Sequence, residues 1–378
     1  MKKICYVVTV SITIKSFFIP QLKFLAENGY DVTVICSPDE KLKEMLGDKI
    51  KYIPVNMPRG LSLFGSIKAI KNLKRIFKEE KFDLVQYSTP NAAFYASIAS
   101  KSTKVKIRNY HLTGLRYLGA SGIFRKVLKW IEKKAIKNST HVECECKSNV
   151  DYCLNENLFS REKAVVVGYG SAGGIDLKRF DIEKAKGYRE EKRSTYDVQE
   201  NEFLFGFVGR ITKDKGINEL ITAFNRLAKE NENVKLAVIG GIDLNNGLTD
   251  KIFSELNSNE RIIRIDATPE IEKYYSMLDA LVLPSYREGF GNVVIEAEAM
   301  GVPVLVSDIA GPIDAMEDGV TGLKFKVKDV QALYEAMKKG LEFKNNGFGK
   351  NAVEFVLERF DSNKLNQEIL KRKNQLLG

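Results

Sequence analysis

Residues 280–306 read ALVLPSYREGFGNVVIEAEAMGVPVLV, and this stretch decides the fold. The apolar run 280–283 suits a short buried strand, and Pro284 ends it because proline cannot donate to a ladder. Gly289, Phe290 and Gly291 form a loop. A helix is expected over 292–300, with Gly301 as its stop and Pro303 beyond it. Residues 304–306 make a second apolar run. Strand, loop, helix and strand in succession argue for a parallel sheet covered by helices.

Two carboxylates bracket the loop. Were residues 285–296 all helical, Glu288 and Glu296 would lie about 12 Å apart and about 80° apart around the axis, a poor geometry for two acids sharing one proton. With Glu288 in the loop and Glu296 on the second helical turn, each can accept hydroxyl hydrogen bonds from a different part of one elongated ligand. The glycines let backbone N–H groups approach that ligand, and the helix start favours an anion. A nucleotide sugar fits: a hexose at one end, a ribose at the other and a diphosphate between. Taken singly, such a pair of glutamates is more often just solvated around a turn.

Upstream, the run 203–208 leads into Gly209-Arg210-Ile211-Thr212-Lys213-Asp214-Lys215-Gly216 and then a helical pattern over 217–229. A strand, a tight turn and two cations at a helix start make a seat for a diphosphate. Further apolar runs at 235–239, 262–265 and 323–325 complete the second half. The first half alternates in the same way, with strands expected at 4–10, 32–36, 51–55, 84–87, 105–107, 141–145 and 164–167, and amphipathic segments such as 18–28 and 66–80. Between the halves, residues 181–202 are charged and poor in apolar side chains, as a connection with one exposed helix would be. The expected organisation is a first doubly wound domain over 1–180, the connection, a second over 203–355, and a final helix over 356–378 returning toward the first. Two such domains would face each other across a cleft at the carboxyl ends of their strands.

At 378 residues, 44% hydrophobic and 29% charged, the chain has the composition of a globular protein. Its five cysteines are unevenly spaced, which suggests free thiols in a reducing cytosol. Cys144, Cys146, Cys153 and His141 fit no common zinc spacing. The opening MKKICYVVTVSITIKSFFIPQL mimics a signal peptide, but Lys15 interrupts the apolar run and no small-residue cleavage site follows. No run of eighteen apolar residues occurs, so a cytoplasmic protein without a membrane span is expected. Charge is uneven: residues 1–175 hold 29 Lys+Arg against 15 Asp+Glu, a balance of +14, and the remaining 30 and 34 give −4. A basic half points to phosphates, whether of lipid headgroups, nucleic acid or a phosphorylated substrate.

The blocks VGRITKDKG (208–216), PSYREGFGNVVIEAEAMGVPV (284–304) and DGVTGL (318–323) resemble the family 4 retaining glycosyltransferases of the GT-B fold. The second block contains that family's Glu-x7-Glu signature. In the first half, YHLTGLRYLGASGIFRKVLKWIEKKA (110–135) and VVVGYGSAGGIDLKRF (165–180) are similar to the branch that builds capsules, O-antigens, lipopolysaccharide and exopolysaccharides. The resemblance implies that Arg210 and Lys215 hold the donor diphosphate and Glu288 the sugar hydroxyls. It further puts the backbone of Gly289, Phe290, Gly291 and Asn292 close to sugar and phosphates, and gives Glu296 the ribose. It implies a UDP-sugar donor, a polyprenyl-diphosphate-linked acceptor, and no cofactor or metal, in keeping with a chain that lacks Asp-x-Asp. His111 matches a histidine near the transferred sugar, and a structural role fits it equally. Two departures stand out. The paired glycines of many relatives after the first strand are replaced by Thr9-Val10-Ser11-Ile12-Thr13, and a later Gly-Gly-x-x-Glu segment reads Gly311-Pro312-Ile313-Asp314.

A UDP-sugar 2-epimerase of the same architecture is the alternative reading. A nucleic-acid partner rests on basicity alone, with no basic-aromatic module behind it. Residues 104–137 carry ten Lys+Arg and one acid, Glu132. Over 122–137, Phe124, Val127, Leu128, Ile131 and Ala135 fall on one helical face, and Arg125, Lys126, Lys129, Lys133 and Lys137 on the other, with Trp130 at the border. Either this is a surface helix with solvated lysines, or the basic side and Trp130 rest on an anionic membrane.

Overall fold

The computed structural model describes every residue except 59, 61 and 244–246. It divides into two compact units, one of Met1–Gly174 with Ser362–Gly378 and one of Ile175–Asp361. In the first, β1 (Lys2–Val7), β2 (Tyr30–Cys36), β3 (Ile50–Pro54), β4 (Leu84–Ser88), β5 (Ile107–Leu112), β6 (His141–Cys144) and β7 (Ala164–Val166) form a sheet. Their order is β3-β2-β1-β4-β5-β6-β7, parallel throughout.

In the second unit, β8 (Phe203–Val208), β9 (Val234–Ile239), β10 (Ile262–Ile265), β11 (Ala280–Leu283), β12 (Val304–Ser307) and β13 (Gly322–Phe325) run in the order β10-β9-β8-β11-β12-β13, again parallel. Its strands are near-continuous apolar runs because helices cover both faces of such a sheet. The helix Ile217–Glu230 shows the matching pattern: Ile217, Leu220, Ile221, Phe224, Leu227 and Ala228 are buried on one side. In each unit the strand order reverses beside the first strand, between β1 and β4 and between β8 and β11. Ligands of doubly wound sheets bind outside the carboxyl ends at that point.

Several boundaries differ from the sequence reading. β1 ends at Val7, and the chain turns helical at Ser11–Thr13 and π-helical at Ile14–Phe18. The β-branched residues there prefer a strand, but Asp39 overrides them, accepting from Ser11 Oγ at 2.5 Å and pairing with Lys15 at 2.7 Å. β5 lies at Ile107–Leu112 rather than 105–107, because Arg108, Asn109 and His111 mask the strand pattern. Two of their donors find partners: Asn109 Nδ2 donates to Gln86 Oε1 (2.9 Å) and Arg108 Nε to the Asn138 carbonyl (2.8 Å).

The connection is not a linker. Its helix, Ile182–Thr195, is part of the second unit, which starts at Ile175 and runs to Asp361. The last helix, Ser362–Leu377, belongs to the first unit, where buried Lys373 pairs with Glu143 at 3.1 Å and donates to Gln86 Oε1 at 2.7 Å.

The helix Gly122–Asn138 buries Leu128, Glu132, Ala135 and Ile136. Its acid, Glu132, accepts from the Tyr110 hydroxyl at 2.6 Å, and burial pushes its carboxyl up to about 7. Phe124 lies on the stripe of Leu128, Ile131 and Ala135 but is exposed. Ile123 and Trp130 are exposed too, on the side of Lys126, Lys133 and Lys137. Lys129 is instead engaged by Glu156. All five cysteines are buried thiols. Among the described residues no cluster of three His, Cys, Asp or Glu could hold a metal ion, and no helix is long and apolar enough to cross a membrane.

Candidate active site

The loops that leave β8 and β11 meet at the switch point of the second sheet. After β8 the chain makes a 3-10 turn, Lys213–Lys215, and Gly216 adopts φ +75° before the helix Ile217–Glu230. A Cβ on Gly216 would lie 2.1 Å from the Pro284 carbonyl oxygen, so only glycine allows the two loops to come this close. The loops are laced by side chains from both sides. Arg287 pairs with Asp214 at 3.0 Å, the Tyr286 N–H donates to the Asp214 carbonyl at 2.9 Å, and the Tyr286 hydroxyl donates to Glu219 at 2.6 Å.

Within this lacing, Lys215 Nζ lies 2.5 Å from Glu288 Oε1, and Ser285 Oγ donates to the same oxygen at 2.7 Å. Both partners are largely but not wholly shielded, with side chains 17% and 14% exposed, so a ligand can still reach them. Arg210 lies two residues past the end of β8 and pairs with Asp243 at 2.7 Å in an exposed position. Exposed pairs of this kind contribute little, about 0–1 kcal/mol, so Arg210 can exchange Asp243 for an anion at small cost.

The helix Asn292–Ala299 starts at Gly291, whose φ is +94°. Glu296 on it accepts from the buried Tyr275 hydroxyl at 2.8 Å. Burial pushes the Glu296 carboxyl above the usual carboxylate range, against that hydrogen bond. The Phe290 side chain is buried against Phe360 (ring centroids 5.4 Å apart), so only its backbone is offered to a ligand. Gly311, at φ +104°, opens the 3-10 turn Pro312–Asp314, and a Cβ there would lie 2.7 Å from the Gly289 carbonyl oxygen. The Gly311-Pro312-Ile313-Asp314 segment thus packs on the loop of Glu288 despite its shorter acid.

Arg210, Lys215, Glu288, Gly289, Phe290, Gly291, Asn292 and Glu296 therefore share the carboxyl edge of one sheet. His111 belongs to the other unit, at the end of β5. It is buried, edge-on to Phe18 (5.6 Å), with Ser88 Oγ 3.3 Å from Nδ1. Burial pushes its imidazole down to about 4, so it is neutral at pH 7. Sequence reasoning missed Ser285, Tyr275 and Asp214, which hold the two glutamates and the turn. Ser285 and Asp214 had a signal, one three residues before Glu288 and the other directly before Lys215 in the quoted stretches; Tyr275 had none.

Two doubly wound units, one of them with cations and carboxylates gathered at its carboxyl edge, have the architecture of proteins that bind ligands outside the carboxyl ends of their strands. Residues 188–354 match the family model "Glycosyl transferases group 1", and residues 3–144 match "Glycosyl transferase 4-like". The chain belongs to this glycosyltransferase family and has its GT-B fold. It is 32% identical, over all of its length and 98% of the relative's, to "Capsular polysaccharide biosynthesis glycosyltransferase CapM" of Staphylococcus aureus. It is 24% identical over 84% of its length, and 81% of the relative's, to the "UDP-Gal:alpha-D-GlcNAc-diphosphoundecaprenol alpha-1,3-galactosyltransferase" of Escherichia coli. Among solved structures, Anabaena Alr3699/HepE in complex with UDP superposes with a TM-score of 0.78 at 19% identity, over 99% of this chain and 100% of that one.

Proposed function

We propose that the chain is a retaining, metal-independent hexosyltransferase that uses no cofactor. It moves a hexose or N-acetylhexosamine from a nucleotide-diphosphate sugar, UDP-linked, to a lipid-linked or saccharide acceptor in the synthesis of a bacterial surface polysaccharide. The contact of Lys215 with Glu288 at the switch point carries this reading: a cation for the diphosphate touches a carboxylate for the sugar. The relatives named above support the donor and acceptor classes. Glu296 would take the ribose, and the N–H groups from Gly289 to Asn292 the sugar and phosphates.

As the bond from C1 to the diphosphate oxygen breaks, negative charge grows on that oxygen, and Arg210 and Lys215 stabilise it. The acceptor oxygen bonds to C1 from the same face, and its proton passes to the departing diphosphate. Burial keeps His111 uncharged, so it adds no charge to the reaction. Mass spectrometry of products from a panel of UDP-sugars with polyprenyl-diphosphate-linked acceptors tests the reading. Free epimer formed without acceptor would replace it with an epimerase.

The two glutamates separate in calorimetry. UDP contains the ribose but no sugar, so Glu296→Ala should weaken UDP binding about tenfold, as for a hydrogen bond to a charged group. Glu288→Gln should leave UDP binding unweakened, since it frees Lys215 for phosphate, while abolishing the gain in affinity that the sugar adds. The reverse pattern would exchange the two roles.

We place the enzyme in the cytoplasm, on the inner face of the membrane, through the helix Gly122–Asn138. Ile123 and Trp130 are exposed there among lysines. Each basic residue near an anionic surface contributes roughly 1 kcal/mol, screened by salt. The protein should co-sediment with anionic liposomes at low salt and be released as salt rises. Changing Lys126, Lys133 and Lys137 together to Glu should abolish this without unfolding the protein. Lys129 is left out because reversing it would set two acids against each other at Glu156. A wild type that ignores anionic liposomes at low salt removes the docking helix and leaves the transferase.

A further inference from the structure

The first unit contains a pocket that the donor chemistry does not use. Its volume is about 500 Å³, within the range of small-molecule sites, and its lining includes Ser37, Asn56, Met57, Pro58, Lys68 and Asn72. β2 ends at Cys36 and β3 at Pro54, so the pocket lies just past the carboxyl ends of these strands, on the edge where doubly wound sheets take ligands. Its rim is braced. Asn91 Nδ2 donates to the Pro58 carbonyl at 2.7 Å, the Tyr95 hydroxyl donates to the same oxygen at 3.3 Å, and Arg116 Nη1 donates to Asn91 Oδ1 at 3.1 Å.

One wall is the helix Leu63–Glu80. Ala69, Leu73, Ile76 and Phe77 bury its inner side. The spacing 64, 67, 68, 71 puts Phe64, Ile67, Lys68 and Lys71 on one outer face. Phe64 is 86% exposed and Ile67 57% exposed, so two large apolar side chains stand in water one turn from a pocket cation. Among the described residues Lys68 has no carboxylate partner, whereas Lys15 is neutralised by Asp39. A cation and amides inside, with bare apolar side chains at the same wall, match a ligand with an anionic head and an apolar chain.

We infer that this pocket binds the phosphate-bearing head of an isoprenoid amphiphile, with Lys68 and Asn72 on the phosphate and Phe64 and Ile67 against the first carbons of the chain. This rests on the proposed transfer to a lipid-linked acceptor and adds the place where that lipid is held. The shared chemistry is a diphosphate, which also occurs free, so the test separates the two sources.

Farnesyl diphosphate, inorganic diphosphate and farnesol are titrated into the full chain by calorimetry, with UDP saturating so that the donor loops are occupied. Farnesyl diphosphate should bind more tightly than either fragment. Lys68→Glu should weaken it about tenfold or more, the scale of a hydrogen bond between charged partners. Phe64→Ser, at an exposed position, should weaken farnesyl diphosphate and leave inorganic diphosphate unchanged. UDP affinity, measured separately, should be the same in both variants and the wild type. Equal binding of farnesyl and inorganic diphosphate would overturn the lipid assignment. Farnesyl diphosphate affinity unaffected by Lys68→Glu would overturn the pocket. Failure of the wild type to bind UDP would instead strike the donor reading, which these titrations report independently.

Discussion

Replacing Lys215 by alanine is expected to lower kcat about 10²–10³-fold, the usual cost of losing one group that stabilises charge growing in the transition state. Donor affinity should fall much less. In the ground state the diphosphate is already charged and Lys215 is already paired with Glu288, so part of its binding energy goes into breaking that 2.5 Å contact. When the glycosidic bond breaks, the added charge falls on the oxygen that Lys215 is proposed to face. Arg210→Ala should act in the same direction and more weakly, because Arg210 is exposed and reaches its anion through solvent. Glu288 keeps the Ser285 hydroxyl in the Lys215 variant, so the loop should stay in place and the melting temperature should move little. Single-turnover rates and donor titrations on both variants give the split. Near-wild-type turnover in both would remove the diphosphate assignment.

The second sheet was readable because parallel strands covered on both faces need apolar runs, and β8, β10 and β11 lie where those runs are. The strand, loop and helix of residues 280–300 were readable for a further reason: glycine and proline mark chain reversals whatever surrounds them. Legibility failed where polar residues go inside. β5 was set too early because Arg108, Asn109 and His111 look like a loop until Gln86 and Asn138 are there to satisfy them. The link between Lys215 and Glu288 spans 73 residues and exists only once β8 and β11 lie side by side. The family signature named both residues, but nothing in the spacing predicts that they touch. Glu132 was counted only as the one acid of a basic segment, with nothing to say that the Tyr110 hydroxyl holds it in the core.

The charged connection is the sharpest such case, and it carries the largest expected loss of stability. Asp279, just before β11, has a side chain only 2% exposed and collects three cations: Arg189 at 2.6 Å, Arg193 at 3.2 Å and Lys344 at 3.2 Å. It also accepts the Leu204 N–H at 2.7 Å, which fixes it to the start of β8. Arg193 is itself buried and donates to the carbonyls of Gln199 (2.6 Å) and Glu202 (2.8 Å). A sequence of alternating charges reads as solvated, yet here it clamps the helix Ile182–Thr195 to the base of the second sheet. Asp279→Ala removes the carboxylate that Arg193 contacts and leaves a buried guanidinium without its ion-pair partner, so unfolding free energy should drop by about 3–5 kcal/mol. Asp279→Asn should cost less, because its amide oxygen can still accept from Leu204 while the charge is gone. Asp279 and Leu204 lie at the amino ends of β11 and β8, and Arg210 and Glu288 at the carboxyl ends. Whatever fraction of either variant stays folded should therefore bind UDP with wild-type affinity. Urea unfolding with a parallel UDP titration tests both halves. A loss below about 1 kcal/mol for Asp279→Ala would mean that the three cations are held by solvent and carbonyl oxygens rather than by this carboxylate.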